Sequence, residues 1–534
     1  MLRHGIARFA RLSRAARRVR YPLSDRIDTV ADQGNLGRKS VVLFAGTWAA
    51  SGFGFLTTIL IARRLGPDAL GILGFSMGLV GVLTAFLVPG FFQAHQKRVA
   101  EGGDLGRCVG TMVALQLVIQ GAAFAVVLAA SRWGSFVIPA GVIPAGVPLL
   151  VVLFVLAAQL LTNLAATLST AFIGREWAVA NATTQVAGKG LRFAATAAVL
   201  VWAPDIRWVA AALLVEGAAE IVVGAYILIG LRGVRLRRPD RETLVSYWRY
   251  ARPLFITSPI GMLQDSLDRV LVARWAGLTA GGYYQVARTL WEVLGTLNAY
   301  PFQLLFSRLS RLFAEPRGEG VPEARRVFSA AMDRLLFIVV PAAFALWALR
   351  EPVIAFLYGE AFLPAAAPLM VFILAALAQS AFNPYQFVLY AMDQHGRLVP
   401  VVLVRLVVYL ATMVALVPVW GGTGAAAVRL LLVVFPCWVF IRWTRELAGI
   451  GFQGVTVAYL AGFGVLLAVN EATRAALLAG GGPGLAALGG GMATALVAYA
   501  GVLWLTHAGT GNNLRYTREL VDPRRFWAFL KADS

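Results

Sequence analysis

The chain has little of what an enzyme is usually built from. Its 534 residues include two Cys, four His and 27 acidic side chains. Cys108 and Cys437 stand alone in apolar surroundings, at no spacing that suits a metal or a disulfide. His4, His95, His395 and His507 are too scattered to read as a metal or general-base cluster. No Asp-x-Asp of the kind that nucleotide-sugar transferases use occurs. Residues 34–40, Gly-Asn-Leu-Gly-Arg-Lys-Ser, are spaced too tightly for a phosphate loop and follow no strand. The period-2 alternation of membrane barrel strands is missing as well. These absences predict no enzyme, no cofactor and no metal centre.

Apolar sequence is abundant instead. A mean hydropathy of +0.72 and 59% hydrophobic residues leave no room for a large soluble domain. Fourteen apolar stretches cover 41–61, 70–90, 108–130, 147–172, 185–203, 208–231, 253–273, 283–306, 334–349, 366–391, 399–419, 423–441, 453–470 and 486–507. Stretches of about 20 residues match the roughly 30 Å hydrocarbon core, where only helices or closed barrels satisfy their backbone. The 48 Lys and Arg residues sort across the gaps between the stretches. Every second gap holds few of them: Arg63, Arg64, Arg132, Arg207, Arg274, Arg350 and Arg474. Arg192, Arg269, Arg288, Arg405 and Arg429 are taken as lying inside stretches, and the rest, including Lys189 and Arg334 near stretch ends, are assigned to the other set. Basic loops stay cytoplasmic during insertion, so the bias predicts about 14 transmembrane helices with both termini cytoplasmic. The net charge of +21 then faces anionic membrane lipids, not nucleic acid. Residues 1–40 read as a basic amphipathic arm on the inner leaflet, and 508–534 as a matching tail.

Two outer turns repeat. Residues 61–79 align with 272–290, so that Ala62/Ala273, Arg63/Arg274, Gly66/Gly277, Ala69/Ala280, Gly71/Gly282 and Leu79/Leu290 coincide. Ala158, Gln159 and Asn163 are echoed by Ala378, Gln379 and Asn383, and Arg192 by Arg405. Six helices per repeat preserve orientation, so the halves relate by an axis along the membrane normal. A site between two such halves is a transporter arrangement. The expected parts are an N-lobe at 41–231, a basic linker at 232–252, a C-lobe at 253–445 and two further helices in 446–507.

Ionisable side chains inside the membrane are costly and each needs a reason. Asp265 with Arg269 and Arg288 with Glu292 stand one turn apart, so each pair can neutralise itself along its helix. Arg192, Arg405 and Arg429 have no acid three or four residues away and can line one cavity, where guanidinium forks suit phosphate oxygens. Glu216 and Glu220 read as counter-ions or as coupling sites, as do Asp265, Asp268, Arg269 and Glu292. Gln159, Asn163, Gln264 and Asn383 add hydrogen-bonding capacity for sugars, or simply join helices.

Residues 62–71, Ala-Arg-Arg-Leu-Gly-Pro-Asp-Ala-Leu-Gly, resemble the first outer turn of the polysaccharide flippase family. That family lies within the multidrug/oligosaccharidyl-lipid/polysaccharide exporter superfamily. Similar stretches follow at Tyr250–Leu254, Asp268–Arg274, Gly282–Arg288, Tyr358–Ala367 and Val417–Ala427. The resemblance runs from about 40 to 445. It implies two six-helix lobes around a V-shaped cavity, and outward flipping of an undecaprenyl-pyrophosphate-linked oligosaccharide by alternating access. Partners in polymerisation and export would follow. Peptidoglycan-precursor flippases of the superfamily carry Arg in their first two helices, whereas here 41–61 and 70–90 hold no charge. The candidate cations are therefore Arg288, Arg405, Arg192 and Arg429. A cation-coupled multidrug exporter is the alternative transporter, and a membrane-embedded polymerase, ligase or glycosyltransferase the alternative enzyme.

Overall fold

The computed structural model describes residues 25–505 except 86, 88–89, 133–142, 253, 316–318 and 480–483. The first 24 residues of the expected arm, the expected tail and the outer turn at 480–483 lie outside the described residues. Among the described residues the chain is all helix. In order these are α1 (Asp25–Thr84), α2 (Phe91–Ala100), α3 (Leu105–Arg132), α4 (Leu149–Gly174), α5 (Ala178–Trp202) and α6 (Ile206–Ala225). Then come α7 (Arg241–Ala251), α8 (Leu254–Trp275), α9 (Leu278–Phe313), α10 (Val321–Ala348) and α11 (Arg350–Tyr358). The last are α12 (Ala366–Ala391), α13 (His395–Val434), α14 (Cys437–Ala448), α15 (Gly454–Ala479) and α16 (Gly484–Leu505).

Eight of the described helical segments are long and apolar enough to cross a membrane, and two of these bend, at Gly66 and at Gly421. Charge keeps others off that count: α8 carries Asp265, Asp268 and Arg269, and α9 carries Arg288 and Glu292. The apolar helices turn much of their surface outward. On α13, Val407 is 67% exposed and Val419 73%. Such faces suit lipid and not water. This is an integral, multi-pass membrane protein.

Helix ends depart from the apolar stretches where polar residues continue a helix past the hydrocarbon. The stretch at 334–349 belongs to α10, which starts at Val321 and takes in Glu323, Arg325 and Arg326. The stretch at 283–306 becomes α9, which runs on to Phe313. Conversely, 423–441 is broken between α13 and α14 at Phe435 and Pro436, since proline removes a backbone donor. Hydropathy reports where lipid is, not where the backbone stops coiling.

The two repeated turns share a backbone. Gly66 has φ 78° and ψ −174°, and Gly277 has φ 94° and ψ 164°, both open only to glycine at low cost. Pro67 begins the second arm of α1, where its missing N–H costs nothing. The turns also meet each other. A side chain on Gly71 would strike the Leu278 carbonyl, and one on Gly282 would strike the Pro67 carbonyl. Leu278 and Pro67 occupy the same register in their repeats. The Thr279 hydroxyl donates to the Asp68 carboxylate across this contact. From there the second arm of α1 runs along α8, with Gly78 and Gly81 against Ser266. Arg63 adds hydrogen bonds to the carbonyls of Leu357, at 2.8 Å, and Phe356.

Candidate functional site

Where the second arm of α1 leaves α8, a cavity of about 370 Å³ opens between the halves. The first half supplies Thr84, Gln159, Thr162, Arg192 and Glu216; α8 supplies Asp265, Ser266 and Arg269. Small residues at Gly81 and Ala158 keep the walls apart. Hydroxyls, an amide and two guanidiniums thus face one space.

The N-terminal wall is paired. Arg192 Nη1 donates to Glu216 Oε2 at 2.7 Å, linking α5 to α6. Gln159 Nε2 donates to Asn163 Oδ1 at 2.9 Å along α4. Glu216 fulfils the counter-ion expectation for Arg192. Glu220 does not: it is 6% exposed, lies across Gly188 and has no hydrogen bond or ion pair among the described residues. Lys189 stands one turn before Arg192. The reading of the loops placed it with the inner charges, but it lies well inside α5.

The second half holds a tighter network. Asp268 is completely buried. Its Oδ2 accepts from Tyr284 Oη at 2.6 Å, Arg429 Nη2 at 2.7 Å and Arg288 Nη1 at 3.2 Å. Arg429 Nη1 also donates to Asp265 Oδ1 at 2.8 Å, and its Nη2 to the Gln264 carbonyl at 2.6 Å. Arg288 Nε donates to Glu292 Oε1 at 2.8 Å, the one helical pair that stands as expected. α8, α9 and α13 are thereby tied together by charge-assisted bonds.

Two expectations change. Arg429 is not an unpaired cation of the cavity; two carboxylates of α8 hold it. Asp265 does not neutralise Arg269, because its carboxylate is turned to Arg429 and Arg269 Nη2 reaches only the Asp265 carbonyl, at 3.2 Å. Arg269 Nε is buried without a partner, and no carboxylate lies within ion-pair distance of this guanidinium among the described residues. Arg405 likewise has a buried, unpartnered Nε and no hydrogen bond or ion pair among the described residues. It stands one turn inward from Tyr409, whose hydroxyl donates to the Gln264 carbonyl at 3.2 Å, and does not line the cavity. The Gln264 side chain is buried with its Nε2 unpartnered, and neither it nor Asn383 lines the cavity. Tyr284 and Tyr409 were missed because an apolar-looking tyrosine carries no periodic signal of its hydroxyl's partner.

Residues 36–313 match the family described as "Polysaccharide biosynthesis protein". The chain belongs to this family. The probable low-salt glycan biosynthesis flippase Agl15 of Haloferax volcanii is 21% identical over 461 residues, which is 82% of this chain and 92% of that relative. Among solved structures, the lipid II flippase MurJ in its inward closed conformation superimposes with a TM-score of 0.64 at 12% identity, over 80% of this chain and 92% of the other. An inward-facing MATE family multidrug transporter of the MOP superfamily gives 0.57 at 16% identity, over 75% and 94%. Identities this low show the fold alone, and that fold is the one of the MOP superfamily. This membrane-spanning member of the polysaccharide biosynthesis family has the fold of MOP-superfamily transporters.

For this family member the geometry sets the available chemistry. In the second half, Asp265, Asp268 and Glu292 hold Arg288 and Arg429, and Arg269 and Arg405 have no carboxylate in ion-pair contact among the described residues. In the first, Glu216 balances Arg192. An anion entering the cavity therefore meets Arg269 directly, and meets Arg192 only by competing with Glu216.

Proposed function

We propose that the chain flips a lipid-linked oligosaccharide carrying phosphate or pyrophosphate, with an undecaprenyl-type lipid, from the inner to the outer leaflet of a bacterial cytoplasmic membrane. Exopolysaccharide, capsule or O-antigen assembly would consume the product. The observation that carries this reading is the cavity wall itself: hydroxyl and amide groups suited to sugar beside Arg192 and Arg269, whose forks suit phosphate. The glycan flippase among its relatives supports the substrate class.

The proposed topology has fourteen spans, two six-helix lobes at 41–231 and 253–445, a cytoplasmic linker at 232–252, two added helices in 446–507 and both termini inside. The reciprocal contact of the repeated turns supports a pseudo-twofold axis along the membrane normal. That contact closes the outer side, and alternating access would part it while the inner side closes. The substrate's phosphate takes Arg269 first and then draws Arg192 from Glu216, so its charge helps to set which state is favoured. Gln159 serves the sugar side, with Asn163 holding its amide from behind. Arg288 and Arg429 hold the second lobe's shape and do not touch substrate.

The experiment is flipping of a fluorescent lipid-linked sugar in reconstituted vesicles. Arg269→Ala should cut flipping at least tenfold, which is the rate equivalent of losing one charge-assisted contact of about 1.5–3 kcal/mol. Arg269→Lys should restore only part of it, since an ammonium lacks the fork. Wild-type flipping by Arg269→Ala at equal protein level refutes the assignment.

A further inference from the structure

A second cavity, of about 560 Å³, lies between α2 and α7, away from the first. Lys97 and Arg98 of α2 line it, with Arg249 and Tyr250 of α7; Glu101 and Glu242 stand among them. The acids are loose partners. Lys97 and Arg98 approach Glu101 at 3.8 and 3.9 Å, and Arg98 approaches Glu242 at 4.0 Å. Arg249 has no ion pair among the described residues. Lys97 Nζ sits 4.9 Å from the centre of the Tyr250 ring, which holds its charge beside the cleft.

The two faces of α7 differ. Thr243, Tyr247 and Ala251 are buried against the first half. There Tyr247 Oη donates to the Cys108 carbonyl at 3.3 Å and lies 2.7 Å from His95 Nδ1. Asp240 caps the helix by accepting from the Thr243 amide at 3.1 Å, and its own amide donates to Thr111 Oγ1 at 3.1 Å. The opposite face presents Arg241, Val245, Trp248, Arg249 and Arg252, with Val245 46% and Trp248 52% exposed. Two residues beyond Arg252 the chain enters α8 at Leu254. Val245 and Trp248, the latter with its ring centre 6.3 Å from that of Phe91, flanked by guanidiniums beside the start of α8, have the make-up of an interfacial anchor.

We propose that the α2–α7 cleft binds the phosphate of an anionic phospholipid of the inner leaflet, through Lys97, Arg98 and Arg249, with Val245 and Trp248 seated at the acyl boundary. The cleft carries three cations against two acids, and Val245 and Trp248 beside it offer an acyl chain an apolar surface that a purely aqueous anion would not use. Since α7 joins the two halves and is docked on the first, the lipid sits where one half turns against the other. The proposal rests on the inside placement of α7, and on no substrate.

The test uses the full-length protein in nanodiscs of phosphatidylcholine mixed with phosphatidylglycerol, with bromine on the chains of one lipid or the other. The difference between wild type and Trp248→Phe isolates the fluorescence of Trp248. Brominated phosphatidylglycerol should quench it at least twofold more than brominated phosphatidylcholine. The triple variant Lys97→Gln/Arg98→Gln/Arg249→Gln should abolish that preference while ordinary quenching remains. If the triple variant does not fold, Arg249→Gln, which has no ion pair to lose, should reduce the preference by itself. Equal quenching by both lipids, or an unchanged preference in the charge variants, overturns the proposal. So does loss of the preference on adding soluble inorganic pyrophosphate, which would make the cleft a site for free phosphate.

Discussion

Asp268→Asn is the sharpest perturbation of the second half. The wild-type carboxylate is fully buried and receives Arg429, Arg288 and Tyr284 at once. The amide keeps the shape but removes the charge and turns one acceptor into a donor. Each arginine retains one acid, Asp265 for Arg429 and Glu292 for Arg288, yet those side chains are 59% and 53% exposed and are screened by their surroundings. Breaking a buried pair at one partner costs about 3–5 kcal/mol, and the remaining acids should recover only a fraction of it. The assay is denaturation in a single detergent, read as the change in unfolding free energy, with Arg429→Gln and the double variant beside it. Removing both partners leaves no Arg429 to be stranded, with Arg288 still on Glu292, so the double variant should be more stable than the sum of the singles by at least about 1 kcal/mol. Additive losses, or an Asp268→Asn protein as stable as wild type, would refute the buried-network argument.

Glu216→Gln should lower stability, because Arg192 loses its 2.7 Å partner, whereas Glu220→Gln should fold normally and lose only gradient-driven flipping while exchange without a gradient survives; equal behaviour of the two in vesicles sinks this division. Gly71→Ala should wedge the outer turns apart, since its Cβ would meet the Leu278 carbonyl; a cysteine at Ser266 should then label faster from outside, and unchanged labelling counts against the closed outer contact. Reporter fusions near Arg238 and Arg442 should read as cytoplasmic and those near Leu278 and Ala365 as external, and a cytoplasmic signal at either outer site breaks the fourteen-span topology. Burial lowers the His95 pKa from 6.5 to about 4. The unfolded chain therefore takes up a proton below about 6.5 that the folded chain refuses, so the docking of α2 on α7 is at full strength above that pH. It should weaken by up to about 3 kcal/mol as pH falls to 4, seen as faster hydrogen exchange in α7; a flat profile from pH 7 to 4 contradicts it.

Much of the architecture was legible because lipid imposes a simple rule. Most apolar stretches lie on one helix, 423–441 being split between α13 and α14, and the repeat around Gly66 and Gly277 marked the two turns that share a backbone and touch. Arg288 with Glu292 was legible for the same reason: helical spacing is a local quantity. The partner of Arg429 was not, because Asp268 lies 161 residues away and sequence spacing says nothing of which helices become neighbours. Counting carboxylates within one turn therefore left Arg429 and Arg192 unpaired on paper and credited Asp265 to the wrong arginine. Lys189 escaped notice because one lysine near a span end looks like loop charge. α2 and α7 escaped it because short amphipathic helices beside the bilayer resemble polar linkers.

The contact between the repeated turns has a consequence for ancestry. Position 71 meets residue 278 and position 282 meets residue 67, so the two repeats touch each other through equivalent positions. Such a contact is isologous. A single six-helix unit bearing this turn would be self-complementary and would dimerise through it when inserted in parallel. The fused chain can be viewed as that dimer made permanent, with its two copies free to diverge: one into the paired charges of Asp268, the other into the Arg192–Glu216 bridge.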